Sequence, residues 1–108
     1  MTHKELREQI SEFRKTFNNK DEIKNRLNNI AQNKRYLEDE DILSMEKMRL
    51  SLTFGIDELK ISMEDITKEM SIGVISEDDR LLYQEFIMLS DEAIRLSNEI
   101  IGIIDTIV

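Results

Sequence analysis

The 108-residue chain has no cysteine, no proline and no tryptophan, and it carries only three glycines and one histidine, His3. Without cysteine there is no disulfide, no thiolate metal site and no cysteine nucleophile, so the fold must rest on packing alone. A lone histidine excludes a two-His metal centre and any His-based triad. The chain also lacks a Gly-rich phosphate loop and the Glu-x-x-His pair from which di-iron bundles are built. No cofactor or metal is therefore expected. Met1 to Gln9 is polar and has no apolar core, so no cleavable signal peptide is expected. The expected location is the cytoplasm, or outside the cell by an export route that needs no such peptide.

The absence of proline leaves long helices uninterrupted, and 35% charged residues with abundant Glu, Lys, Ile and Leu is a helical composition. The length suits one domain with a modest core. The expectation is an all-α fold, an antiparallel three-helix bundle or long helical hairpin with coiled-coil-like packing. Its helices should fall at about 3–37, 40–72 and 77–107.

The stretch Ile42 to Met70 reads as the organising element. Ile42, Met45, Arg49, Leu52, Ile56, Leu59, Met63, Ile66 and Met70 recur at alternating spacings of three and four, with Arg49 the one polar interruption. Such a helix would run roughly 43 Å at 1.5 Å per residue, so its partners must lie alongside it. Met45, Met48, Met63 and Met70 at or beside this row read as core filler. Leu50, Phe54 and Ile61 fall on the opposite side and suggest contact with something else. Gly55, mid-helix, reads as room for a close helix approach beside Phe54.

In the first helix, Thr2 and Glu5 form a Thr-x-x-Glu capping box. Leu6, Ile10, Phe13 and Phe17 continue as one stripe, which then shifts to Ile23, Leu27, Ile30 and Leu37 across Asn18-Asn19-Lys20-Asp21. Either the helix breaks there, with Asp21 as a new cap, or its seam rotates across a stutter. The second reading, one helix with a weak middle, is preferred. Six of the seven asparagines lie between Asn18 and Asn33, so tertiary contacts must hold this helix.

Glu38-Asp39-Glu40-Asp41 would be unwelcome at the end of one helix and favourable at the start of the next, with Asp39 or Asp41 as cap. The run has neither the spacing nor the glycine of a calcium loop. Gly73 is expected as a left-handed helix stop, with Val74 or Ile75 folding back onto the last turn. Ser76 opens a Ser-x-x-Asp start followed by Glu77, Asp78 and Asp79. The short connection makes the second and third helices antiparallel neighbours.

The third helix carries Leu82, Phe86, Leu89, Ala93, Leu96, Ile100, Ile103 and Ile107, and beside them a row at seven-residue spacing, Ile87, Ile94, Ile101 and Val108. Together they cover about 160° of the helix surface, wider than the roughly 100° a one-sided helix needs, so this helix must touch two neighbours. The end from Ile100 contains Asp105 and is too short to span a bilayer, so no membrane partner is expected.

The formal net charge of −8 is uneven. Residues 1–37 hold nine Lys and Arg against five Asp and Glu, and residues 38–108 hold six against eighteen. A basic helix packed on acidic ones explains this better than a nucleic-acid surface, because Glu5, Glu8, Glu12, Asp21 and Glu22 interrupt the basic face. An acidic surface that imitates DNA phosphates is an alternative.

One enzyme family enters by resemblance. Glu5-Leu6-Arg7-Glu8-Gln9-Ile10 resembles the opening of the helical chorismate mutases, which are of similar length, have three helices and bind a dicarboxylate with Arg and Lys from the first long helix. The resemblance would give Arg7, Lys24, Arg35 and Gln84 binding roles, although Met48 stands where that family has an acidic residue. In size and hairpin layout the chain also resembles the small helical partners of type VII secretion systems. Its turn, however, reads Ser71-Ile72-Gly73 rather than Trp-x-Gly, and no Tyr-x-x-x-Asp/Glu follows the third helix.

The function expected from the residues is a non-enzymatic helical interaction module, such as a phage or mobile-element inhibitor, an adaptor, or an assembly or secretion partner. Its partner would be another protein chain, a second copy included. The candidate surface is Leu50, Phe54 and Ile61, joined by Ile87, Ile94 and Ile101 if the first helix leaves that row uncovered.

Overall fold

The computed structural model describes residues 2–33, 37–73 and 75–108. Four helices follow in chain order: α1 (His3–Asn18), α2 (Lys20–Gln32), α3 (Asp39–Ile72) and α4 (Glu77–Ile107). They form three rods, because α1 and α2 lie end to end, in a bundle of 57 × 22 × 18 Å. The described residues contain no strand.

The helix ends follow their sequences with three corrections. At α1 the Glu5 amide donates to Thr2 Oγ1 (3.2 Å) while the Thr2 amide donates to Glu5 Oε2 (3.4 Å), closing the capping box. The Asp79 amide donates to Ser76 Oγ (3.1 Å) at the start of α4. The first rod is not one helix to residue 37: it breaks for a single residue at Asn19, and α2 ends at Gln32. No side chain caps α2, and Asp21 lies inside its first turn, where its charge faces the positive end of the dipole. At α3 the cap is Glu38, whose amide donates to Asp41 Oδ2 (3.1 Å), so Asp41 supports the cap from inside the helix. Gly73 is extended, at φ −124° and ψ 164°, and makes no left-handed stop. Ile75 packs against the first apolar cluster, and Val74 lies outside the described residues.

Two apolar clusters fill the bundle, one toward each end. The first joins Leu6, Ile10 and Phe13 of α1 to Ile66 of α3 and Tyr83 and Phe86 of α4. Phe13 and Phe86 meet with ring centroids 6.0 Å apart, a favourable tilted pair. The second joins Leu27 of α2 to Met45 of α3 and Leu96, Ile100, Ile104 and Ile107 of α4. The start of α1 therefore meets the start of α4 and the end of α3. The first rod runs parallel to α4, and α3 runs antiparallel to both.

The organising helix is α4 rather than the stretch Ile42 to Met70. α1, α2 and α3 each pack mainly on α4, while α3 meets α1 and α2 only sparsely. The reason is surface width: the apolar surface of α4 spans two adjoining flanks, whereas α3 turns one row toward its neighbour. Cations of the other helices answer its acids. Arg14 of α1 pairs with Glu85, Lys24 of α2 with Glu99, and Arg49 of α3 with Asp105 (2.8 Å). The polar interruption in the α3 row thus has a partner, and Asp105, ill placed at a helix C-terminus, is offset by it.

Gly55 has open space around it rather than a neighbouring helix, for nothing lies within 4 Å of where its Cβ would stand. Replacing Gly55 with Ala should therefore raise stability in urea titration by about 0.5–1 kcal/mol, the helix-propensity difference. Phe86, fully buried where all the first cluster meets, should cost about 3–5 kcal/mol on replacement with Ala in the same titration.

Candidate functional site

The inward row of α3 is buried or half-buried at every position from Ile42 to Met70, which turns the other side of the helix outward. On that back face Leu43 is 51% exposed, Leu50 69%, Phe54 65% and Ile61 60%. Hydrophobic side chains scattered singly are ordinary on a protein surface, but four in one row along a helix face, one of them aromatic, are more than scatter. Three of them are the α3 residues expected from the sequence. Leu43 directly follows Ile42 in the first turn of α3, and an adjacent apolar pair does not by itself show which member faces outward. It stands seven residues before Leu50, which is the signal that could have found it.

The second expected row behaves differently. Ile87, Ile94 and Ile101 are all half-buried. Ile87 packs against the first cluster, and Ile94 sits in the crevice between α3 and α4 with Met63, Thr67 and Asp91. The α3 side chains around Ile94 place that part of the row beside α3, and the row as a whole is half-buried rather than freely exposed. Val108 is 42% exposed at the chain end. Of the methionines, Met45, Met63 and Met70 face inward and Met48 is exposed.

The described residues of the mutase resemblance, Arg7, Lys24 and Gln84, are not brought together. Arg7 lies in a cleft between α1 and α4 with Arg14, Leu82 and Glu85. Lys24 lies in another, with Lys20, Glu92 and Arg95, and its charge is taken by Glu99. Gln84 is exposed on α4, and Arg35 lies outside the described residues. A dicarboxylate site needs free cations converging on one cavity, and no described cleft holds two of these groups.

A small polar group closes the hairpin end. His3 Nε2 lies 3.3 Å from Asp79 Oδ1, and the His3 ring stands edge-on to Tyr83 at 6.2 Å. Burial, and then the neighbouring Glu69 carboxylate, push the Tyr83 hydroxyl above its usual pKa. In the core Ser90 is fully buried, and among the described residues its Oγ finds no hydrogen-bond partner. Among the described residues no three metal-ligating side chains cluster, and no helix is long and apolar enough to cross a membrane.

No protein-family model, curated protein or solved structure matches the chain.

One electrostatic consequence can be measured. The Lys24 ammonium bonded to Glu99 holds that carboxyl below its usual pKa, so the contribution is present above the unfolded value and lost as pH falls through the folded one. The wild-type protein should therefore lose more stability between neutral pH and the acid side of the carboxylate range than Glu99→Gln does, in urea titrations at both pH values. Equal losses would remove any role for this pair in docking α2.

Proposed function

We propose that the protein is a non-enzymatic interaction module that binds another protein chain through the back of α3. The observation that carries this reading is the exposure of Leu43, Leu50, Phe54 and Ile61 in one row on one helix face, apart from the other exposed large apolar residues, Met48, Ile72, Leu81, Met88 and Val108. A helix needs one apolar stripe to dock in its own fold, and the inward row of α3 already supplies it. A second stripe on the far side adds nothing to the folded monomer and exposes apolar surface to water, at about 25 cal/mol per Å². Surfaces of that kind mark association sites. Roles such as inhibitor, adaptor or assembly subunit all fit a module of this build.

Non-enzymatic action is part of the same proposal. Among the described residues the clefts that gather titratable groups hold ion pairs, Arg14 with Glu85 in one and Lys24 with Glu99 and Arg95 with Glu92 in another, and Arg49 holds Asp105 of α4. That pairing also weakens the DNA-imitating alternative, which needs unneutralised carboxylates in a regular array.

Phe54→Asp is the test. Its side chain is outside the core, so the variant should keep the wild-type circular dichroism and thermal midpoint, while association with itself and with any captured partner falls sharply. A folded variant that retains both would remove the back of α3 from consideration.

A further inference from the structure

The back of α3 carries more order than its four apolar residues. Leu43, Lys47, Leu50, Phe54, Asp57 and Ile61 follow one another at spacings of four, three, four, three and four, the seam of a coiled coil. All six are exposed. Opposite the row that docks α3 on α4, then, lies a complete second seam with one lysine and one aspartate in it.

The order of the six residues selects its own partner. Set against a second copy running in the opposite direction, with the two-fold axis at Leu52, Leu43 meets Ile61, Lys47 meets Asp57 and Leu50 meets Phe54, and the same three layers repeat in reverse. Every apolar residue faces an apolar one, and the only two charges face each other. In the parallel arrangement Lys47 would face Lys47 and Asp57 would face Asp57, with like charges in two layers. Residues flanking the seam agree with the antiparallel choice. Glu46 falls beside Lys60 of the second copy, and near the axis only Ser51 and Thr53 approach their own equivalents. The next layer outward would set Glu40 against Glu64, so the seam ends after six layers.

We propose that the back of α3 is a homodimer seam, occupied by α3 of a second copy in antiparallel orientation with Lys47 and Asp57 fixing register and direction. This names the partner within the interaction reading above and rests on it. Polar residues within a hydrophobic seam play this role in coiled coils, lowering affinity while excluding other registers. One helix pair of this length lies at the small end of interfaces, so the dimer assembles at micromolar rather than nanomolar concentration.

Charge reversal tests it. In Lys47→Glu both mixed layers become acid against acid, and in Asp57→Lys both become base against base. Sedimentation equilibrium should give the wild-type protein twice the 12.8 kDa chain mass at high micromolar concentration. Each single variant should be a folded monomer, with self-association weakened by at least about 100-fold, since like charges across an interface cost several kcal/mol. An equimolar mixture of the two variants should return to the dimer mass, because each then supplies what the other lacks. A wild-type protein that stays monomeric into the millimolar range, single variants that stay dimeric, or a mixture that stays monomeric would each overturn the seam. The first result would leave the broader reading to be decided by Phe54→Asp with a heterologous partner. If the wild-type protein is a dimer that Phe54→Asp does not disturb, the seam falls, and the broader reading falls with it when partner capture also survives the substitution.

Discussion

The breadth of the apolar surface on α4 is the constraint from which the bundle follows. A helix with one apolar stripe is satisfied by one neighbour, but α4 presents Leu82, Leu89 and Leu96 on one flank and Ile87, Ile94 and Ile101 on the other, with Phe86, Ile100 and Ile104 between them. It needs a rod on each side. The first rod covers one flank and α3 the other, and both core clusters are built around α4 side chains. The ion pairs repeat the arrangement, since Glu85, Glu99 and Asp105 each meet a cation from a different helix. Two cations of the basic first third, Arg14 and Lys24, are in this way paired with acids of α4.

That hub also explains what is left over. Because α3 spends only its inward row on α4, its far side is set by no intramolecular demand. A helix that served only the monomer would be charged there, and α3 instead alternates apolar residues with a single lysine and a single aspartate. The order Leu, Lys, Leu, Phe, Asp, Ile is self-complementary when reversed, a property of the seam as a whole and of none of its residues separately.

Much of this was legible in the residues. The α3 row, the capping box at Thr2, the start at Ser76 and the double width of α4 all follow from spacing, because the helical repeat converts sequence separation directly into direction around the axis. The outward position of Leu50, Phe54 and Ile61 followed for the same reason. Periodicity did not say which helix is the hub. A long regular seam drew attention to α3, whereas the number of flanks that must be covered decides the matter in favour of α4. Nor did it say which neighbour shelters Ile87, Ile94 and Ile101, since one helix's pattern does not record which rod lies on which side. Backbone conformation at Gly73 and Asn19 was likewise beyond it: a glycine permits a left-handed turn without requiring one, and an asparagine pair weakens a helix without fixing where it breaks.

The absence of cysteine makes the orientation of the dimer directly measurable. Leu43→Cys and Ile61→Cys are each prepared alone, then mixed in equal amounts and oxidised under mild conditions at high micromolar concentration. In the antiparallel seam the two copies of residue 43 stand roughly 27 Å apart, as do those of residue 61, while 43 of one chain faces 61 of the other. The account predicts a disulfide-linked heterodimer in the mixture and little cross-linking in either variant alone. Efficient homodimer cross-linking in each variant alone, or none in the mixture, would contradict it.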